Sequence, residues 1–196
     1  MPRLPRPSAT RRPKGAEALA EAAELIAFWL EAGPRLWFAK DEGFDERFRN
    51  RFLALHEAAL RGEGGEPAAD ADTALARVLL LDQFPRNAFR GTPRMYASDA
   101  LARASADAAL AAGHDLQVAR PLQPFFYLPF SHSEALADQE RAVTLCQRLG
   151  GGDLDSARWH RDIVQRFGRF PHRNVILGRD SSEAELQYLR EGGFQG

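Results

Sequence analysis

Apolar residues recur at helical spacing along nearly the whole chain, which restricts it to folds made of packed helices. Leu19, Ala22, Ala23, Ile26, Trp29 and Leu30 form one stripe over 16–31, and Phe48, Phe52, Leu55 and Ala59 form another over 45–61. A third helix is expected over 70–84. Thr92 before Pro93 has the pattern of an N-cap with proline at the first helical position. The helix it would open is rich in small residues (Ala97, Ala100, Ala104, Ala108, Ala112) that would let a neighbouring backbone come close, and Gly113 stops it. Beyond the aromatic segment LQPFFYLPF, further helices are expected over 132–149, 156–168 and 183–191, with a Gly-Gly-Gly linker after the first. Ser182-x-x-Glu185 is a capping box for the last. There is no sustained alternation and no Asn-Gly or Asp-Gly hairpin turn. The expected fold is therefore all-α, with about eight helices joined mainly by short loops.

With 196 residues, 44% hydrophobic and 27% charged, the chain can bury a substantial core within one domain. Its net charge of −1 is unevenly spread. Residues 1–14 carry Arg3, Arg6, Arg11, Arg12 and Lys14 among prolines and no acid, which reads as a disordered basic arm ahead of an all-α domain over 15–196. The body is acidic by compensation, so a nucleic-acid partner is not expected. No segment reaches the roughly 18 apolar residues of a membrane span, and the arm lacks the apolar run of a secretory signal. The lone Cys146 excludes an internal disulfide and fits a packed thiol in a reducing cytoplasm.

Several polar residues fall on apolar helix faces. At about 100° per residue, Asp82 lies about 20° from Leu75, in the middle of its helix's apolar stripe. Gln139 and His132 fall among Ala142, Val143 and Cys146, and His160 falls among Ile163, Val164 and Phe167. A buried carboxylate needs a cation, and Arg86 and Arg173 are the expected partners of Asp82. Both belong to echoing motifs, DQFPRN and GRFPHRN, in which Phe-Pro closes a helix and Arg-Asn follows. Pro171 ends the helix before it, leaving Arg166 and Arg169 to reach that helix's last carbonyls while His172 and Arg173 aim inward. Beside His132, Glu134 suggests an acid–base pair, but Ser131-x-x-Glu134 also reads as a capping box.

Two readings of this constellation stay open. In the first it is an inward pocket for a small anionic ligand. His132 and His160 would handle protons, and Asp82, Arg86, Asn87, Gln139, Arg169, His172, Arg173 and Asn174 would line the site. In the second it is a structural network inside a module that offers a groove to a protein or peptide partner. No cofactor or metal is expected: no two histidines have HxxxH or HExxH spacing, and cysteine pairs are absent. A metal site made by His132, His160 and His172 converging in space is the remaining metal alternative.

The motifs FW (28–29), WF (37–38), FD (44–45), LLLDQFPRNAFRGTP (79–93), FYLPFSHSE (126–134), Gln139-Glu140 and RFGRFPHRNVILGR (166–179) occur in order. Over about residues 20–190 they resemble the bacterial family known as domain of unknown function 924. That resemblance implies an all-α fold related to tetratricopeptide superhelices, a right-handed superhelical bundle, and supplies no activity. The chain departs from the family's acidic-aromatic pattern near 62–70, where it reads EGGEPAADAD, outside the polar motifs.

Overall fold

The computed structural model describes residues 14–63 and 68–196, with side chains from residue 20 onward. The arm expected over 1–14 lies outside the described residues except for Lys14, which opens the first helix. Helix makes up 74% of the structure, and no strand occurs among the described residues. The elements are α1 (Lys14–Trp37), α2 (Glu42–Leu60), α3 (Ala71–Leu81), α4 (Gln83–Ala88), α5 (Asp99–Ala111), α6 (Pro124–Ser131), α7 (Leu136–Cys146), α8 (Gly151–Phe167), α9 (Asn174–Leu177) and α10 (Glu183–Arg190). Setting aside the short α4 and α9, the count matches the eight helices expected from the periodicity.

Local chemistry sets many of the boundaries. Asp41 and Asp70 cap α2 and α3 by accepting from the Phe44 and Thr73 amides at 2.7 and 2.8 Å. The Ser182–Glu185 capping box opens α10 with both of its reciprocal bonds present. Gly168 adopts φ 70° at the end of α8, a left-handed position that favours glycine. The triple glycine is not a linker before a later helix, because its last two residues already belong to α8. Thr92-Pro93 opens only a 3-10 turn over Pro93–Tyr96, with no side-chain cap, and α5 proper begins at Asp99. LQPFFYLPF is itself helical: α6 is apolar on nearly all sides and buried, which lets Pro129 sit inside it among packed neighbours.

Helices pack largely in chain order, α1 on α3, α3 on α5, α5 on α6, α6 on α7 and α7 on α8, with α2 bridging α3 and α4. The core is centred on rings. Phe48 is fully buried, with Phe28, Trp29, Phe44, Phe52 and Phe84 all within 5.7 Å of it, centroid to centroid. In α1 the buried stripe is Ala22, Leu25, Phe28 and Trp29, whereas Ala23 and Leu30 face solvent, contrary to the expected stripe. Rotating Leu25 and Phe28 inward removes more apolar surface from water than burying an alanine would. In α5 the buried alanines are Ala102, Ala106 and Ala109 against α3, while Ala97, Ala100, Ala104 and Ala112 of the expected stripe are exposed. A helix with alanine on every side has no face marked by size; its orientation follows Asp99, which Arg86 holds. A smaller cluster of Ile163, Val164 and Phe170, packed by Phe167, Tyr188 and Phe194, stands apart from the main core.

Phe48→Ala should cost roughly 3–5 kcal/mol of unfolding free energy, since the surrounding rings cannot collapse into the space. Urea denaturation measures it, and a cost below about 1 kcal/mol would show that the aromatic cluster is not the mechanical centre of the core.

Candidate functional site

Asp82 is the point from which the site is built. It sits at the junction where α3 ends and α4 begins, and its side chain is fully buried. Phe84-Pro85 therefore lies in the first turn of α4 and does not close α3; proline is tolerated there because an N-terminal amide has no intrahelical acceptor. Three donors converge on the carboxylate: Gln83 Nε2 at 2.6 Å, His132 Nδ1 at 2.8 Å and, as an ion pair, Arg86 at 3.2 Å. Burial opposes ionisation, but Arg86 and His132 overcome it and hold Asp82 at about 2. Arg173, the other expected partner, does not reach Asp82.

Arg173 instead completes a chain through Asp99. Arg86 donates to Asp99 Oδ1 at 2.9 Å, and Arg173 Nη1 stands 3.6 Å from Asp99 Oδ2. Arg173 Nη2 donates to the His132 carbonyl at 2.9 Å, and its guanidinium lies over the Tyr96 and Phe170 rings at 4.5 and 4.6 Å. Burial, followed by the neighbouring Arg86 cation, pushes Arg173 below its ordinary value, although a guanidinium stays charged near neutral pH. Arg86 Nη2 and Arg173 Nε are buried without a hydrogen-bond partner.

His132 does not start a helix. The chain leaves α6, turns through 132–135 and enters α7 at Leu136, so the helix expected over 132–149 is shorter at its start. Gln139 fixes this turn by donating to the Ser131 and Ser133 carbonyls at 2.7 and 2.5 Å. The Ser131–Glu134 capping box does not form. Glu134 accepts from the Phe170 amide and pairs with Arg179 through both oxygens, at 2.7 and 2.9 Å. Burial resists ionisation there, but Arg179 and the Phe170 amide keep Glu134 below the usual carboxylate range. Burial and Arg86 lower His132 against the upward pull of Asp82. Its ring is 14% exposed and lines an open cleft of about 470 Å³ with Tyr96, Asp99, Glu134, Arg173 and Leu177.

The other residues singled out in the sequence divide by location. His160 is buried behind His132, ring centroids 6.2 Å apart, with Nδ1 donating to the Ser156 carbonyl. His172 lies against Phe170 and Phe194 with Nδ1 unpartnered. Asn87 donates to Asp45, and Asn174 bonds to Ser181 and Arg179, so neither lines the cleft. Arg169 does not cap α8; it grips Glu185 at 2.6 and 2.8 Å and the Asp180 carbonyl, which ties α10 to the end of α8. Arg166 likewise lies over the Phe167 and Tyr188 rings. Among the described residues no group of three or more His, Cys, Asp or Glu could hold a metal ion. Sequence reasoning missed Asp99 and Tyr96: Asp99 looks like an ordinary first-turn acid, and nothing local marks Tyr96.

This all-helical chain matches a family profile and a solved structure over most of its length. The chain belongs to the family of bacterial proteins of unknown function DUF924, whose profile matches residues 25–193. It is similar to the solved structure of a protein of unknown function from Agrobacterium tumefaciens, at 55% identity and a TM-score of 0.87, covering 89% of this chain and 99% of that one. No protein of curated function matches it.

Asp82→Ala should cost roughly 3–5 kcal/mol, because it removes the acceptor of Gln83 and His132 and leaves Arg86 buried with Asp99 as its remaining carboxylate, whereas Asp82→Asn still accepts hydrogen bonds and should cost less. Chemical denaturation of the two variants gives the order; a neutral Asp82→Ala would mean that Asp99 alone satisfies Arg86 and that the network does not depend on Asp82. A second expectation concerns acid. Burial holds His160 at about 4 and His172 at about 3, with neighbouring cations adding to it. An unfolded histidine protonates near about 6.5. The folded values are depressed, so their stabilisation is complete above about 6.5 and is lost as pH falls toward about 4 for His160 and about 3 for His172. Unfolding free energy measured across that window should fall, and His172→Gln should flatten the slope; an unchanged slope would assign the loss to other groups.

Proposed function

We propose that the cleft is a binding site for a small anion, a carboxylate or phosphate compound, gripped by Arg173 with His132 beside it as the group that handles a proton. The observation that supports this reading is the state of Arg173. A guanidinium has five N–H donors. Arg173 is 7% exposed and lines the cleft, yet makes a single hydrogen bond, to the His132 carbonyl. Buried donors without acceptors are costly, and a ligand oxygen is the acceptor that would satisfy them. Asp99 at 3.6 Å steadies the charge without taking those donors. Asp82 and Arg86 stand behind as a rigid support, which keeps His132 and Arg173 in fixed relation.

A second reading, a groove for a protein or peptide partner, draws on the cleft's apolar lip, where Leu177 is exposed and Val175 two residues before it is 89% exposed. Under that reading an isolated small anion should not bind.

Calorimetric titration with inorganic phosphate and short carboxylates should give saturable binding, and Arg173→Gln should weaken it at least tenfold while the helical circular dichroism spectrum is retained. Equal binding by wild type and Arg173→Gln, or no binding by any anion in the series, would refute the anion site.

A further inference from the structure

Three donors surround the Asp82 carboxylate, which can therefore act only as an acceptor. The proton shared between it and His132 belongs to Nδ1 of the imidazole. A second proton, on Nε2, would set another cation among Arg86 on α4 and Arg173 ahead of α9. The remaining groups around the ring do not offset that: Asp99 on α5 is engaged with Arg86, Glu134 with Arg179, and His160 on α8 is itself an uncharged ring. His132 lines the cleft with Arg173, and with Nδ1 committed to Asp82 its Nε2 is left bare, a hydrogen-bond acceptor in the same cleft as the Arg173 donors.

We infer that the anion taken by this cleft carries its own hydrogen-bond donor beside the charge, as a 2-hydroxycarboxylate does through its hydroxyl and a phosphate group does through its P–OH. This rests on the anion-site reading above and gives it a substrate class. The charged oxygens face Arg173, and the ligand's O–H donates to His132 Nε2. A plain carboxylate, or sulfate, would place an oxygen lone pair against the nitrogen lone pair and leave Nε2 without a partner. Sites built around such a polar contact reject analogues that lack the matching group more strongly than apolar pockets reject a missing methylene.

Matched pairs test this on the intact chain near neutral pH: glycolate against acetate, and inorganic phosphate against sulfate, by calorimetric titration. The donor-bearing member of a pair should bind about tenfold or more tightly than its partner. A preference in the first pair alone identifies a hydroxycarboxylate ligand, and in the second alone a phosphate ligand. Because a His132 variant removes one of the three donors on buried Asp82 and disturbs the fold, the second readout is ¹⁵N NMR of the wild-type imidazole. Free protein should show protonated Nδ1 and unprotonated Nε2, and only the donor-bearing anion should move the Nε2 resonance toward its hydrogen-bonded position. Equal binding within both pairs, or an Nε2 that is protonated in the free protein, overturns this inference and leaves the anion site standing. Failure of all four anions to bind defeats the anion site itself.

Discussion

A fully buried carboxylate, Asp82, is the constraint around which the polar half of this molecule is organised. An isolated charge in that position would cost several kcal/mol, so it must be met by donors from elsewhere in the chain. Gln83 and Arg86 come from the helix it introduces, and His132 comes from a turn 50 residues away. The long-range contact does more than neutralise charge. It fixes the α6–α7 turn against the α3–α4 junction, and Gln139 fixes the other side of that turn.

From this anchor the ion pairs run outward through Arg86 and Asp99 to Arg173, each group sharing its partners with the next. A parallel pair, Glu134 with Arg179, holds the same turn to the segment after α8. The main apolar core is ring-filled, whereas Ile163, Val164 and Phe170 form only a small separate cluster, packed by Phe167, Tyr188 and Phe194. The larger core is thus centred on rings, and the smaller cluster stands apart from it.

Much of the site could be read from helical phase, but not all in the right company. Asp82, Gln139 and His160 are buried as their wheel positions required. His132 also points inward, although from a turn and not from the start of a helix. Asn87, Arg169 and Asn174 looked equivalent to Arg173 because the motifs around them echo one another, yet each is engaged elsewhere. Asp99 and Tyr96 gave no signal, since a first-turn acid and a lone tyrosine are ordinary in any helix-rich chain.

By itself the sequence determined the longer helices, the Ser182–Glu185 cap of α10 and the inward position of Asp82. These depend on periodicity and on contacts within a turn or two, where the covalent chain dictates geometry. Tertiary structure alone decided that Arg173 pairs with Asp99 and not Asp82, that Glu134 serves Arg179 instead of a helix terminus, and that α5 turns Ala102, Ala106 and Ala109 inward. The physical reason is that helical phase tells which face a residue occupies, whereas partners across the fold are chosen by how helices cross and where their ends meet. In an alanine-rich helix such as α5, even the face is left to its neighbours.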